Sequence, residues 1–231
     1  MEKEESYYRE RLAAEKLRGC YELAPARIRQ YLDAEVNHIL QKIKSIDIVL
    51  ELGCGYGRII PYLARKASFV TGIDISPANL RLAQEYLVNI HNCRLYEQNA
   101  IDLKFQENTF DVVLCIQNGI SAFHIDKRKL VLESCRVTKP EGIILFSTYS
   151  EKIWYDRLNW FQLQAEAGLI GEIDYKQTRD GIIVCKDGFH ASTVNADEFL
   201  SLTSELNAHV SVEEVDESSL FCEIVKHEEI Q

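Results

Sequence analysis

The feature that most constrains the fold of this chain is a turn with a glycine at every second position: Gly53, Gly55 and Gly57. The apolar segment 49–52 leads into this turn, a helical pattern follows over about 58–66, and a second apolar segment ends at Asp74. Because glycine lacks Cβ and tolerates positive φ, the turn lets the backbone approach a bound molecule very closely. The pattern predicts a β-loop-α-β unit that brings Asp74 to the carboxyl edge of a sheet, where a ribose diol would bind.

The spacing of the turn discriminates between classes of cofactor. In the dinucleotide fingerprint G-x-G-x-x-G the third glycine comes one residue later, and the turn seats a pyrophosphate at a helix N-terminus. Here Glu51 precedes the turn, and its carboxylate would repel a pyrophosphate but attract a cation or an amino group. No Gly-Lys-Ser/Thr follows, which excludes a P-loop. A nucleoside with a positively charged appendage and no phosphates fits this pattern, and S-adenosylmethionine is such a molecule.

With these motifs the chain resembles the class I S-adenosylmethionine-dependent methyltransferases, over about 46–149 and again near the C-terminus. Five elements arrive in the order of that family: the glycine turn, then the segments 72–76, 98–103, 110–115 and 140–146. The resemblance implies an α/β fold of three layers. Its centre would be a doubly wound, seven-stranded sheet, mostly parallel with an antiparallel C-terminal strand.

The hydrophobic periodicity of the chain predicts strands that alternate with helices, which indicates a parallel sheet covered on both faces. The predicted strands are 47–52, 68–74, 93–98, 110–116, 142–148, 210–215 and 220–225. The predicted helices between them are 57–66, one that starts after Ser76-Pro77 and runs to about 90, 126–138 and 196–206.

Two segments have no place in this alternation. Residues 1–45 form a predicted N-terminal helical segment, with one charged amphipathic helix over 3–18 and a second that starts at Pro25 and runs to about 44. Residues 150–194 form a predicted insert that caps the sheet. It consists of an aromatic helix followed by an antiparallel ribbon over 172–176, 182–186 and 189–194, with two Asp-Gly turns. With 231 residues, of which 46% are hydrophobic, we expect one domain over 1–231.

Composition excludes several classes of partner. The formal net charge of −10 argues against a nucleic-acid substrate, since phosphate backbones require surfaces rich in Lys and Arg. No apolar run approaches the roughly 20 residues of a membrane span, and the charged N-terminus lacks the apolar core of a signal peptide. The seven cysteines contain no C-x-x-C pair, which predicts reduced thiols in a cytoplasmic protein. The sequence leaves the oligomeric state undetermined.

The resemblance implies roles for particular residues at the cofactor. Asp74 would accept from the ribose hydroxyls, Glu51 would contact the methionine ammonium, and Ile75 would cover one face of the adenine. Asn99 stands where the family often has an aspartate that binds the adenine amino group, so that contact is expected to be uncharged. The full predicted cofactor-binding set is Glu51, Gly53, Cys54, Gly55, Tyr56, Gly57, Asp74, Ile75, Asn79, Asn99, Ala100, Ile101 and Ile116.

Methyl transfer from a sulfonium is an in-line displacement that depends chiefly on positioning and on exclusion of water. It requires neither a triad nor a metal, and we expect no metal because no cluster of acids follows the fourth and fifth strands. Asn118 and His124, which come after the fourth strand, are the predicted catalytic residues. Each also has a structural interpretation, as a turn asparagine before Gly119 and as a packed histidine.

A small-molecule methyl acceptor is the predicted substrate, because aromatic residues of the N-terminal segment and the insert can enclose such a molecule. The alternative interpretation is that these residues simply pack against one another. The predicted substrate-binding set is Tyr8, Tyr21, Asn118, Tyr149, Trp154 and Trp160. Three alternatives stay open from sequence: methylation of a protein or other macromolecule, a non-catalytic module that binds S-adenosylmethionine, and, disfavoured by the glycine spacing, a nicotinamide oxidoreductase.

Overall fold

The computed structural model describes residues 7–228, and a seven-stranded sheet in the order β3-β2-β1-β4-β5-β9-β8 forms its centre. These strands are β1 (Ile48–Leu52), β2 (Phe69–Asp74), β3 (Cys93–Glu97), β4 (Phe110–Cys115), β5 (Thr138–Tyr149), β8 (Ala208–Val215) and β9 (Ser219–Lys226). Two-residue strands β6 (Ile183–Val184) and β7 (His190–Ala191) form a separate ribbon. The predicted fold class is confirmed, with β9 as the antiparallel strand beside β5.

The strand order reverses between β1 and β4, which pair in parallel next to each other at the centre of the sheet. From β1 the chain proceeds outward through β2 and β3, and then returns to the other side of β1 through β4 and β5. In open α/β sheets this switch point opens a crevice beyond the carboxyl ends of the strands, and ligands bind there. The topology therefore brings Glu51 of β1 and Asp74 of β2 to one edge.

Eight α-helices among the described residues surround the sheet. They are α1 (Glu15–Glu22), α2 (Ala26–Lys42), α3 (Ile60–Lys66), α4 (Pro77–Tyr86), α5 (Gly119–Ala122), α6 (Lys127–Val137), α7 (Trp154–Glu166) and α8 (Ala196–Thr203). One face of the sheet buries its side chains against α2, α3 and α4. The other face buries its side chains against α6 and α8, which completes the predicted three layers.

A third apolar cluster joins the N-terminal helices to the insert. The indole Nε1 of Trp160 donates to the carbonyl of Cys20 at 2.8 Å, and the Tyr7 hydroxyl donates to Asp187 at 2.7 Å. Arg157 is the largest fully buried side chain; its guanidinium donates to the carbonyls of Gly181 and Ala191. These contacts hold the two additions to the sheet against each other at its carboxyl edge.

Several predicted helices have different bounds in the structure, among them α8, which was predicted to reach 206 and ends at Thr203. The helix predicted over 3–18 is divided into a π-helical turn, Tyr7–Arg11, and α1, because Ala14 has a φ of 50° and interrupts the helical backbone; residues 3–6 lie outside the described residues. The helix predicted from 57 begins only at Ile60, since Gly57 still has a φ of 81°. The helix predicted to reach 90 ends at Tyr86, after which the chain forms a turn.

The ribbon of the insert is shorter than predicted. The segment 172–176 contributes a single bridge, between Ile173 and Cys185, because the carboxylate of Asp174 accepts from the Lys176 amide and from Gln177 and folds this segment into a turn. Both predicted Asp-Gly turns are present, with glycine at positive φ. The short helix α5 was not predicted; it begins after two residues in the left-handed region. No helix within 7–228 is long and apolar enough to cross a membrane.

The packing of α8 against the sheet can be tested by mutation. Phe199 is fully buried against it, whereas Leu200 on the same helix is 49% exposed. We expect Phe199→Ala to lower the free energy of unfolding by about 3–5 kcal/mol, because it removes buried apolar surface and leaves a cavity. The matched control Leu200→Ala should change it by about 0.5 kcal/mol or less. Urea unfolding followed by circular dichroism measures both; equal losses would contradict the assigned packing.

Candidate functional site

One cavity opens at the carboxyl edge of the sheet, beyond β1, β2, β4 and β5. Its floor is the glycine turn, and its roof comes from the N-terminal helices and from the insert, through Trp160, Phe161, Gln164, Phe189 and Ala191. Most of the residues predicted to form the site line this cavity. They are Tyr8, Tyr21, Glu51, Gly53, Cys54, Gly55, Tyr56, Asp74, Ile75, Asn79, Asn99, Ala100, Ile116, Asn118, Tyr149 and Trp160.

Glu51 is a buried carboxyl with an unused oxygen. Only 6% of the residue is exposed, and its Oε2 has no hydrogen-bond partner among the described residues. Burial raises the pKa of Glu51 to about 8; Asp74 contributes to the rise, whereas Arg58 opposes it. A buried carboxylate without a partner costs free energy, so the arrangement suits a cationic group of a ligand that supplies the missing interaction.

Asp74 organises the wall of the cavity beside the glycine turn. Its Oδ2 accepts from the Gly55 amide at 2.9 Å, and its Oδ1 accepts from the Ser76 amide at 2.8 Å and from Asn79 Nδ2 at 3.2 Å. An ionised carboxylate offers about four lone pairs, so one remains, on Oδ2. Asp74 can therefore accept from one further hydroxyl, whereas the sequence suggested contacts to both ribose hydroxyls.

Asn79 connects this wall to the roof. Its amide Oδ1 accepts from the Ala14 amide at 2.6 Å, while its Nδ2 donates to Asp74. The hydroxyl of Ser76 donates to the Arg9 carbonyl at 3.1 Å. The N-terminal segment is thereby attached to the same two residues that start α4. The N-terminal segment is therefore held against the side of the cavity that contains Asp74.

Gly53 and Gly57 of the turn are required to be glycine for different structural reasons. Gly53 lines the cavity with a φ of 69°, and a Cβ there would lie 2.4 Å from the ring of Phe123. Gly57 does not line the cavity; with a φ of 81°, its added Cβ would lie 2.8 Å from a methyl group of Leu87. Gly57 thus serves the turn and its packing on the end of α4, which differs from the predicted contact with cofactor.

The segment after β3 also departs from prediction. The side-chain oxygen of Asn99 accepts from the Ile101 amide at 3.1 Å. That amide is therefore occupied within the turn, and Ile101 does not line the cavity, although it was predicted to address the adenine ring. Asn99, Ala100 and Ile75 do line it.

A strained turn follows β4. Gln117 and Asn118 both have left-handed φ values, 55° and 63°, and their amides donate to the hydroxyl and the carbonyl of Ser147. The Asn118 side chain accepts from Thr148 at 2.7 Å and donates to the Ser192 carbonyl at 2.9 Å. These bonds attach the turn to β5 and to the end of the insert. The structure gives Asn118 a positioning role beside the predicted catalytic one.

Two further predicted residues lie beside the cavity without lining it. The ring of His124, whose φ is 53°, lies 6.1 Å from that of Tyr8 and 5.9 Å from that of His190. Trp154 packs near Arg157, whose buried guanidinium lies 6.0 Å from the centroid of the Trp154 ring. His124 therefore packs near Tyr8, which lines the cavity, and Trp154 packs near Arg157 outside the lining.

The sequence analysis missed several cavity residues. Arg58 lines the cavity with Nε and Nη2 buried and unpartnered among the described residues, and its guanidinium lies 4.8 Å from the centroid of the Tyr21 ring. Gln117 also lines it, with an unpartnered Nε2, and Tyr21 donates to its Oε1 at 3.1 Å. The available sequence signals were the position of Arg58 directly after the third glycine and the position of Gln117 directly before Asn118. No sequence signal pointed to Phe189, because only the fold brings this residue of the ribbon to the cavity.

The cavity has two chemically different halves. The half at the glycine turn contains the acids Glu51 and Asp74, together with Arg58, the single cation among the described lining residues. The other half is walled by aromatic rings: Tyr8, Tyr21, Tyr149, Trp160, Phe161 and Phe189. A ligand with several phosphates would meet two carboxylates and one guanidinium. Within residues 7–228, no group of three His, Cys, Asp or Glu side chains can hold a metal ion.

Comparisons with known proteins agree with this geometry. The family model described as "Methyltransferase domain" matches residues 49–142. A ubiquinone biosynthesis O-methyltransferase of Histophilus somni is 29% identical over 143 residues, which are 58% of this chain and 56% of that protein. The chain thus spans about half the length of the curated relatives it matches.

Two solved structures share the fold. A Pyrococcus horikoshii protein superposes with a TM-score of 0.67 at 20% identity, covering 96% of this chain and 98% of that one. An S-adenosylmethionine-dependent methyltransferase of Methanosarcina mazei gives a TM-score of 0.62 at 20% identity, covering 83% and 97%. The strand order, the Glu51–Gly57 turn and Asp74 at the end of β2 agree with the match of residues 49–142 to the methyltransferase domain, so the chain is similar to the class I S-adenosylmethionine-dependent methyltransferases, and the two solved structures show the shared fold.

Proposed function

We propose that this protein transfers a methyl group from S-adenosylmethionine to a small aromatic acceptor that carries a hydroxyl group. The observation that carries the proposal is one cavity that is lined by the acids Glu51 and Asp74, by a set of aromatic rings and by the Gln117–Asn118 turn. The hydroxyl as acceptor follows the name of the relatives, which are O-methyltransferases. In this proposal 1–231 is one domain, with 1–45 and 150–194 as the parts that enclose the acceptor.

The residues of the acidic half fit the cofactor. Glu51 has a buried oxygen without a partner for the ammonium, and Asp74 retains one lone pair for a ribose hydroxyl. Ile75 and Ala100 would contact the adenine. When bound, S-adenosylmethionine supplies an electrophilic methyl group on a sulfonium. Everything else in the proposal concerns what the chain does around it.

The chain's contribution to the reaction is positioning and exclusion of water. The aromatic half is closed by ring contacts, such as Tyr21 with Trp160 at 6.0 Å and Phe161 with Phe189 at 5.7 Å between centroids. Burial raises the pKa of Tyr8 and Tyr149 above the ordinary value of a tyrosine, so these two hydroxyls stay protonated and can donate hydrogen bonds to an acceptor oxygen, whereas the Tyr21 hydroxyl already donates to Gln117. Holding the oxygen in line with the methyl group supplies the rate advantage.

The state of the cysteines and the net charge of the chain support the same class of substrate. All seven cysteines are free thiols, which supports a reducing compartment such as the cytoplasm. The net charge of −10 disfavours nucleic acid as a partner.

Turnover is the direct test of the proposed function. Incubation with S-adenosylmethionine labelled in the methyl group, and with phenols or catechols as acceptors, should give labelled methyl ethers. Aliphatic amines and peptides of the same size serve as controls. Transfer to peptides but not to small aromatics would refute the proposed acceptor, and binding without any transfer would favour a non-catalytic module.

The aromatic wall can be tested separately from the cofactor half. Phe161→Leu keeps an apolar side chain at a buried lining position but removes the ring. We expect kcat/KM for the acceptor to fall roughly two- to tenfold, in line with roughly 0.5–1.5 kcal/mol for an aromatic contact. Affinity for S-adenosylhomocysteine should change less than twofold. Gln162→Ala, exposed on the same helix, is the matched control; equal effects of both variants would contradict the proposed wall.

Asp74 tests the ribose side of the cavity. We expect Asp74→Ala to weaken S-adenosylhomocysteine by roughly tenfold or more, because hydrogen bonds to a charged group contribute about 1.5–3 kcal/mol. Asp102→Ala, a change at an exposed turn residue whose carboxylate pairs with Lys104, should bind like the unchanged protein. Calorimetric titration gives both affinities, and circular dichroism verifies folding. A folded Asp74 variant with affinity within twofold of the unchanged protein would exclude the ribose contact.

The raised pKa of Glu51 predicts a pH dependence of binding. Below about pH 8 this carboxyl is mostly protonated, so binding an ammonium requires it to lose a proton. Affinity for S-adenosylhomocysteine should therefore rise from pH 6 toward pH 8, by at most about tenfold per unit. Glu51→Gln, of the same shape, should bind weakly at pH 8 and show a flat profile. An equally steep profile in Glu51→Gln would assign the effect to another group.

A further inference from the structure

The aromatic half of the cavity has a buried cation next to its wall. The guanidinium carbon of Arg157 lies 4.3 Å from the centroid of the Tyr149 ring and 5.5 Å from that of the Phe161 ring, and both rings line the cavity. Arg157 is only 1% exposed and is not among the lining residues. The rings that an acceptor would contact are therefore the same rings that cover this charge.

No carboxylate compensates the charge of Arg157 among the described residues. Its Nη1 donates to the carbonyl of Gly181 at 2.7 Å, its Nη2 donates to that of Ala191 at 3.4 Å, and its buried Nε has no partner there. Burial lowers the pKa of Arg157, but a guanidinium keeps its proton in proteins. Because a buried charge without a counter-ion is costly, the structure favours a ligand that brings negative charge to the aromatic half.

The titratable groups that act on Arg157 are hydroxyls. They belong to Tyr8 of the π-helical turn, Tyr31 of α2 and Tyr149 of β5. Burial raises the pKa of Tyr8 and of Tyr149, and the charge of Arg157 opposes this rise in both. The positive charge therefore acts at the two lining hydroxyls that can donate to an acceptor oxygen.

The described residues of the aromatic half offer no group that could take a proton from the acceptor. Its tyrosines are held in the protonated form, and burial raises the pKa of the lining thiol of Cys20 to about 12. Two other titratable groups lie close by but outside the lining: Glu35 of α2, whose charge acts on Tyr149, and His124, whose ring packs near Tyr8. A neutral phenol that entered this half would keep its proton.

We propose that the aromatic half binds its phenolic acceptor as the phenolate, stabilised by the charge of Arg157 and by hydrogen bonds from Tyr8 and Tyr149. The inference rests on the proposed function and names the reactive form of the substrate. The phenol loses its proton to solvent before it is enclosed. Its oxygen then forms a bond to the methyl carbon, the bond between that carbon and sulfur breaks, and the electron pair of that bond stays on sulfur. A sulfonium and a phenolate thus become a neutral thioether and a neutral ether, and the cavity needs no base.

The ionisation of a bound phenol can be read from its colour. 4-Nitrophenol absorbs at longer wavelength as the phenolate, and no methyl transfer competes when S-adenosylhomocysteine occupies the acidic half. We expect the bound compound to be half-ionised at a pH about one unit or more below that of the free compound, because a nearby opposite charge favours the ionised form. Half-ionisation of the bound compound at the same or a higher pH than the free compound would overturn the proposal.

Arg157→Met removes the charge but keeps a long side chain at this position. It should raise the pH of half-ionisation of bound 4-nitrophenol by about one unit, which is a roughly tenfold weaker preference for the phenolate. Affinity for S-adenosylhomocysteine should stay within twofold. Arg157→Lys should restore part of the preference because it keeps the charge, and Arg179→Met, at an exposed position of the same insert, should behave like the unchanged protein. If folded Arg157→Met titrates bound 4-nitrophenol like the unchanged protein, Arg157 serves only the packing of the insert.

A series of substituted phenols tests the proposal on the unchanged protein alone, whether or not the Arg157 variants fold. At saturating S-adenosylmethionine, the pH at which kcat reaches half of its plateau should fall as the free phenol becomes more acidic, because kcat reports ionisations in the bound complex. One fixed pH for every phenol would assign the ionisation to a protein group, such as Glu35, Glu51 or His124, and would overturn the proposal while the proposed function stands. If no phenol is methylated, the proposed function itself fails.

Discussion

The hydrogen bonds to Asp74 are the constraint on which the rest of the site depends. One carboxylate at the end of β2 holds the Gly55 amide of the turn, the Ser76 amide at the start of α4, and the Asn79 side chain. Through Asn79 it reaches the Ala14 amide of the N-terminal segment. Sheet, glycine turn, helix and roof are thereby fixed relative to one another by a single buried charge, and one of its lone pairs is left for a ligand.

Around Asp74 the cavity combines two different kinds of lining, one polar and one aromatic. Among the described residues, the acidic half retains buried polar atoms without hydrogen-bond partners, which costs stability. The aromatic half consists of rings in contact, which exclude water and hold a shape. The turn at Gln117 and Asn118 lies between them, with both residues at left-handed φ. Such backbone conformations cost about 1–3 kcal/mol each and concentrate at functional sites.

Local sequence patterns predicted the sheet well, and the structure brings Glu51 and Asp74 together at one cavity. Glycine spacing, the acid before it and the acid after the next strand all act within a few residues of one another, and Ser76 forms the predicted cap by accepting from the Asn79 amide. The strand order follows from these units because parallel strands joined by helices have few arrangements. The predicted ends of the helices were less accurate. The positive φ of Ala14, for instance, cannot be inferred from the residue type.

Contacts between distant segments were not predictable in the same way. The bonds of Tyr7 with Asp187 and of Asn118 with Ser192 join residues far apart in sequence and depend on how the insert folds back. The position of Phe189 and the bonding of Ile101 to Asn99 likewise arise from packing and turn geometry. Arg58 is the instructive case, because its place next to the turn was visible but its unpartnered nitrogens were not.

The central claim is that the Glu51–Gly57 turn and Asp74 form a site for an adenosyl amino acid rather than for a dinucleotide. Calorimetric titration of the unchanged protein at pH 8 with S-adenosylhomocysteine and with NAD tests it most directly. We expect saturable binding of S-adenosylhomocysteine at one site per chain and no heat of binding with NAD. Binding of NAD without binding of S-adenosylhomocysteine would contradict the account.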